Sequence, residues 1–120
     1  MPMIFDRIAI LGVGLIGASI ARAAREYGAV GAIALYDASP DVRERARALG
    51  LGEVFDDAER AVAQADLVVL AVPVGAMGAA AAACARGLKI GAIVTDVGSV
   101  KQAVVDAVAA ALPTSVYFVP

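Results

Sequence analysis

Gly12, Gly14 and Gly17 stand in the segment GVGLIG with the spacing G-x-G-x-x-G. That spacing suits a ligand that carries a pyrophosphate. The first glycine permits a tight turn, the second has no side chain to hold the phosphates off the backbone, and the third lets a following helix pack close to its sheet. Val13, Leu15 and Ile16 complete the turn. Their backbone lies where the free N–H groups and positive dipole end of a helix start would face the ligand. The motif follows an apolar, strand-like run and opens a helical one, which is the context it needs. A tight strand-to-helix turn that holds nothing has the same spacing.

Asp37 follows Gly17 by 37 − 17 = 20 residues and closes the run AIALY. A carboxylate there accepts hydrogen bonds from the adenosine ribose hydroxyls and repels a 2′-phosphate. Ala38, next in the chain, offers no cation to attract one. The expected cofactor is therefore NAD rather than NADP. Arg43 is the nearby cation that stands against this preference, and Asp37 also suits a helix cap or a turn. Further on, Ala71, Val72, Pro73 and Val74, with Met77 shortly after, follow one strand-like run, and Val97, Gly98 and Ser99 follow another. Ligands of such sheets bind beyond the carboxyl ends of the strands. These residues are thus expected to border the adenosine and the nicotinamide ribose. For Ser99 a helix cap and a functional role stand open together. Lys101 is expected at the surface.

The elements that must position these residues alternate strand and helix. The first strand is expected over 7–11 and the first helix over 15–27, with Ile16, Ile20, Ala24 and Tyr27 on its buried face. Gly28 ends that helix. A second strand spans 32–36. Ser39 caps a second helix with Pro40 at its first position. Val42, Ala46 and Leu49 make its buried stripe, Gly50 closes it, and Arg43, Glu44, Arg45 and Arg47 form its solvated face. A short strand over 53–55 precedes a helix that starts at Asp56 or Asp57 and runs to about Gln64. Strands over 67–72, 92–96 and 116–119 frame helices over 75–86 and 99–112, the last barred from continuing by Pro113. Strict alternation implies parallel strands with helices on both faces. The fold expected is a single three-layer α/β domain, a Rossmann-type doubly wound parallel sheet of strand order 3-2-1-4-5-6.

Composition agrees with one such domain. The 120 residues carry a net charge of −2, and the pI of about 4.9 suggests neither a nucleic-acid surface nor a basic membrane face. One cysteine cannot form an internal disulfide, and Cys84 is expected as a small buried apolar residue. Hydrophobic residues make up 61% of the chain and the mean hydropathy is +0.80. Much of this is alanine and valine, as tightly packed helices on a buried parallel sheet require. The uncharged stretch 67–85 has the length of a membrane span. Pro73, Gly75 and Gly78 interrupt it, however, and a strand, a turn and a helix explain it better. Arg7 and the apolar run to Ala21 mimic a signal peptide, against which the three spaced glycines argue. A soluble, cytoplasmic chain without membrane, nucleic-acid or metal partners is expected.

Taken together, GVGLIGASIARA, YDASP, ADLVVLAVPVGAM and GAIVTDVGSVKQAVVDAV resemble the prephenate and arogenate dehydrogenases of tyrosine biosynthesis. The resemblance runs from about Ile8 to Val119. The glycine turn is shared widely, whereas TDVGSVK at 95–101 and its spacing from AVPV are much more specific. The resemblance implies oxidation of the ring hydroxyl carbon of prephenate or arogenate, with hydride passing to the nicotinamide and loss of the ring carboxylate as CO₂. It puts the family's serine at Ser99, near the nicotinamide, where it helps to position a catalytic histidine. It puts the family's glycines at Gly12, Gly14 and Gly17, and its ribose-binding acid at Asp37.

The family's histidine lies in a Gly-His-Pro type motif directly after the last strand seen here, and this sequence contains no histidine. The resemblance therefore implies an NAD-binding domain over 1–120. The helical domain that supplies substrate contacts and a homodimer interface would be absent, so the chain would bind cofactor without turning over substrate. The cofactor domain of another hydroxy-acid or imine dehydrogenase is a further reading, disfavoured by GSVK. A non-catalytic NAD-sensing module is another, with which the missing histidine agrees. A surface shaped to pack against a helical domain leaves apolar area exposed. The chain is therefore expected to self-associate or to be only marginally soluble. Sedimentation velocity checks this, and a clean monomer at high concentration would contradict it.

Overall fold

The computed structural model describes residues 4–28, 30–98 and 101–120, with Lys101 described by its backbone alone. Strands β1 (Phe5–Leu11), β2 (Val30–Tyr36), β3 (Glu53–Val54), β4 (Leu67–Leu70), β5 (Ile93–Asp96) and β6 (Tyr117–Val119) alternate with helices. The helices are α1 (Leu15–Glu26), α2 (Pro40–Leu49), α3 (Ala58–Val62), α4 (Met77–Cys84) and α5 (Lys101–Ala111). The strands pair in parallel, in the order β3-β2-β1-β4-β5-β6. This is the expected doubly wound sheet. The chain steps outward from β1 to β3, returns to the centre, and steps the other way to β6. Right-handed crossovers then put the helices of the two halves on opposite faces.

Strand β1 displays both faces. Ile8 and Ile10 pack with Ala18 and Ala21 of α1 and Ala46 of α2. Ala9 and Leu11 face the other layer, among Val62, Met77, Ala81, Val104 and Val108. Alternate side chains of a strand point to opposite faces, so the part covered on both sides, residues 8–11, is apolar throughout. Strand β6 is covered on one side only. Phe118 packs against the α3–α5 layer, while Tyr117 and Val119 are exposed.

Two helices sit differently from expectation. In α1 the buried residues are Gly17, Ala18 and Ala21. Ile20 and Ala24 pack at the edge of that stripe, while Ile16 and Tyr27 are exposed. The cause is Gly17. A Cβ built on it would lie 1.9 Å from the carbonyl oxygen of Gly12, so this face of the helix is pressed against the turn and turns its small residues to the sheet. In α2, Ser39 accepts from the Val42 N–H at 3.4 Å, Pro40 opens the helix, and Ala46 is buried, as expected. Leu49 is exposed, and Leu51, beyond the Gly50 stop, is buried in its place.

Helix α3 is shorter than the sequence suggests, and Asp57 caps it, accepting from the Glu59 N–H at 3.0 Å. The uncharged stretch 67–85 becomes β4, a turn that tightens over Val74–Ala76, and α4. Among the described residues no helix is long and apolar enough to cross a membrane. Cys84 is fully buried in the core, and burial pushes its thiol up to about 11.

Two outcomes follow. Gly17→Ala cannot keep the turn closed and is expected to cost about 1–3 kcal/mol or more in urea unfolding. Gly14→Ala, whose Cβ would meet no atom within 4 Å, is expected to stay within about 0.5 kcal/mol of the parent. Separately, the Cys84 thiol should react with a thiol reagent at pH 8 only as fast as the protein opens. Rapid labelling of the native chain would contradict the burial.

Candidate cofactor site

A crevice opens beyond the carboxyl ends of β1 and β4, neighbours whose following helices leave to opposite faces of the sheet. Gly12 forms its floor. It has φ +99°, and a Cβ on it would stand 2.7 Å from the Ala71 carbonyl oxygen, so both its backbone and its surroundings demand glycine. Its N–H donates to the Tyr36 carbonyl at 2.8 Å, which ties the turn to β2. Gly14 then starts α1. No side chain caps this helix and its first turn holds no acidic residue, so the positive end of a 12-residue helix faces the crevice. The space beside Gly14 is open. A side chain would fill it, and an anion fits it.

Asp37 is half-buried at the end of β2. One carboxylate oxygen accepts from the Val13 N–H at 2.8 Å, the other from the Ser39 N–H at 2.9 Å. The side chain thereby joins the glycine turn to the turn after β2. A carboxylate has about four acceptor sites, so these two bonds leave capacity for ligand hydroxyls.

The turn divides the crevice into two clefts. The first, of roughly 260 Å³, has Gly12, Tyr36, Asp37 and Ala38 on one side, with Val72 bordering it as well. Its other wall is a ladder of Ala76, Ala79, Ala80 and Ala83. These positions follow the i, i+3, i+4, i+7 pattern of one helix face. The sequence does not reveal the ladder, because every neighbouring position in AAAAA is also alanine and the pattern has no contrast. The second cleft, of about 530 Å³, lies between Gly14, Leu15 and Ile16 on one side and Ala71, Val72, Pro73 and Val74 on the other. Val97 and Gly98 also line it. The fold thus brings these nine expected residues to one place.

The other expected residues stand differently. Val13 and Gly17 are buried and act through backbone, Val13 by its N–H to Asp37 and Gly17 by its approach to Gly12. Met77 is fully buried in the core, with its methyl group 3.6 Å from where a Cβ on Gly98 would be. It supports the turn from beneath and has no surface for a ligand, which corrects its expected role as a contact. Ser99 lies outside the described residues. Asp96, only 8% exposed, accepts from the Gly98 N–H at 2.7 Å and so folds the turn that precedes Ser99.

Arg43 is not on a solvated face. Its side chain is 15% exposed, and it donates to the carbonyls of Asp37 at 2.8 Å and Ala38 at 3.4 Å. It also pairs with Asp56 at 3.1 Å. Arg47, hydrogen-bonded to the same carboxylate, and then Arg43 hold Asp56 below the usual carboxylate range. Among the described residues no group of three His, Cys, Asp or Glu side chains is placed to hold a metal ion. The arrangement suits an elongated ligand: a flat group in the alanine-walled cleft, hydroxyls at Asp37, a pyrophosphate over the helix start, and a second ring in the wider cleft.

Comparison with known proteins agrees with that geometry. The model of the prephenate dehydrogenase nucleotide-binding domain matches residues 20–120. That match begins beyond the glycine turn, so it does not depend on the widely shared motif. A cyclohexadienyl dehydrogenase of Zymomonas mobilis is 51% identical over 114 residues, covering 94% of this chain and 39% of the relative. A prephenate dehydrogenase from A. aeolicus, solved with hydroxyphenyl propionate and NAD+, superposes with a TM-score of 0.80 at 31% identity, over 92% of this chain and 40% of that one. An arogenate dehydrogenase from Synechocystis gives 0.78 at 28% identity, over 87% of this chain and 37% of that one. The chain therefore spans about two fifths of the length of these relatives. By its sequence match and its fold, the chain belongs to the prephenate dehydrogenase family as a nucleotide-binding domain.

Proposed function

We propose that this chain binds NAD across the crevice and serves as the cofactor domain of a dehydrogenase that acts on prephenate or arogenate in tyrosine biosynthesis. The observation that carries the reading is the pair of clefts that share Val72 across the glycine turn, Gly12 and the Asp37 carboxylate lining one and Gly14 the other. The alanine ladder leaves room for the flat adenine. Asp37 takes the ribose diol and repels a 2′-phosphate. The backbone from Gly12 to Gly17 and the positive end of α1 hold the pyrophosphate.

The wider cleft takes the nicotinamide, with Ala71, Val72, Pro73 and Val74 facing Leu15 and Ile16. These apolar walls exclude water from the ring. Bound NAD supplies the hydride acceptor. Val97 and Gly98 line the nicotinamide end, and the family resemblance gives Ser99, next in the sequence, a supporting part in the chemistry. The family resemblance gives the hydroxyl proton to a histidine, and this chain has none, so the reading assigns that base to the rest of the enzyme. The complete protein is read as a cytoplasmic homodimer whose further domain supplies that base and the substrate contacts.

Calorimetric titration tests the reading. NAD should bind at least tenfold more tightly than NADP, and equal or reversed affinity would sink the role of Asp37. Hydrogen bonds to a charged group contribute about 1.5–3 kcal/mol. Asp37→Ala should therefore weaken NAD by roughly ten- to a hundredfold. Gly14→Ala should weaken NAD while leaving stability intact. With NAD and prephenate both present, the chain alone should form no NADH.

A further inference from the structure

A polar cluster beside the first cleft has no part in that reading. Arg43 lies in the first turn of α2, and its Nη1 donates to the carbonyl oxygens of Asp37 and Ala38 together. Its Nε donates to Asp56 at 3.1 Å, and its guanidinium carbon stands 5.9 Å from the centre of the Tyr36 ring. Asp56 is anchored in turn by Arg47 at 2.8 Å. A single side chain therefore spans the end of β2, the start of α2 and the segment after β3. Only arginine has a rigid fork of donors able to do this, since lysine offers one compact charge.

We propose that Arg43 is a positioning residue for the adenosine end of the cofactor. By holding the two carbonyls of the 37–38 turn, it keeps the Asp37 carboxylate on the Val13 and Ser39 amides and aimed into the first cleft. Without it the turn loses two of its bonds, and the carboxylate loses its fixed direction. Arg43 is a cation in contact with Asp37, and a 2′-phosphate is an alternative partner for it. Its Nη1 and Nε already point at protein acceptors, however, which argues for the clamp. The inference rests on the reading that the first cleft holds the adenosine half of NAD.

The test uses Arg43→Ala, Arg43→Lys and Asp56→Ala in this chain, each titrated with NAD, NADP and AMP. Losing one or two neutral-strength hydrogen bonds is expected to weaken NAD and AMP by the same factor, about three- to tenfold, in both Arg43 variants. Asp56→Ala, which leaves Arg43 half-anchored, should show the same pattern with a smaller loss. In the ligand-free chain, the Val13 and Ser39 amides should exchange with solvent faster in each variant, while the thermal midpoint changes little.

Full affinity in Arg43→Lys would overturn the proposal, because charge alone would then suffice. A loss confined to NADP would overturn it in favour of a phosphate contact. Unchanged exchange at Val13 and Ser39 would overturn it too. Failure of the parent chain to bind either NAD or AMP would instead defeat the cofactor assignment. Amide exchange would then still decide whether Arg43 holds the turn.

Discussion

The approach of α1 to the glycine turn governs the rest of this domain. A Cβ at Gly17 would stand 1.9 Å from the Gly12 carbonyl oxygen, so helix and turn touch through backbone. That contact fixes where the first amides of α1 lie, and hence where an anion can sit. It also fixes the rotation of the helix. Gly17, Ala18 and Ala21 go to the sheet, and Leu15 and Ile16 are left facing outward. Two exposed large apolar residues at a helix start would be a liability on an ordinary surface. Here they form one wall of the wider cleft. The packing constraint and the shape of the site have the same cause.

What the sequence made legible was local. Strand order follows from the alternation of elements and the handedness of crossovers. The Ser39 cap, the Pro40 start and the glycine stops follow from single-residue chemistry. The glycine spacing and Asp37 twenty residues later could be read because the geometry of one strand-turn-helix-strand unit is nearly constant. What could not be read was tertiary. The buried face of α1 is not legible because hydrophobicity favours Ile16 and Tyr27, whereas closeness to the turn favours glycine and alanine. Leu49 and Leu51 are two residues apart and equally apolar, and only the path of the chain after Gly50 decides which is buried. Arg43 looked solvated because its partners are two backbone carbonyls and a carboxylate thirteen residues away, none of which leaves a pattern in the sequence.

Helix α4 shows how the alanine-rich composition serves two purposes. Met77, Ala81 and Cys84 face the core with no exposure. Ala76 just before the helix, with Ala80 and Ala83 on it, lies one step round and lines the narrower cleft. Larger residues on the second face would bury more apolar area and add stability in proportion, but they would close the space. Larger residues on the first face would push the helix off the sheet. The largest enclosed side chains instead come from the strands, Ile10, Leu11, Leu35 and Leu70, with Met77, Val62, Val104 and Val108 added by the helices. Alanine on the helices and branched residues on the strands keep the layers close and the cleft open.

Two aspartates bracket the crevice and do the same local chemistry. Asp37 ends β2 and accepts from the amide of Ser39, two residues on, at 2.9 Å. Asp96 ends β5 and accepts from the amide of Gly98, also two residues on, at 2.7 Å. Each side chain folds the turn that leaves its strand. The difference between them is burial. Asp96 is 8% exposed, and a Cβ on Gly98 would press against its carboxylate at 3.2 Å, so its work is done within the fold. Asp37 stands at the edge of a cleft, and its second oxygen reaches across to Val13 in the glycine turn. A carboxylate at a strand end is thus a turn-former in both places, and is open to a ligand only where the fold leaves one side of it uncovered. Residue type and position were the same in the two cases. The packing around each aspartate decides which of them can meet a ligand.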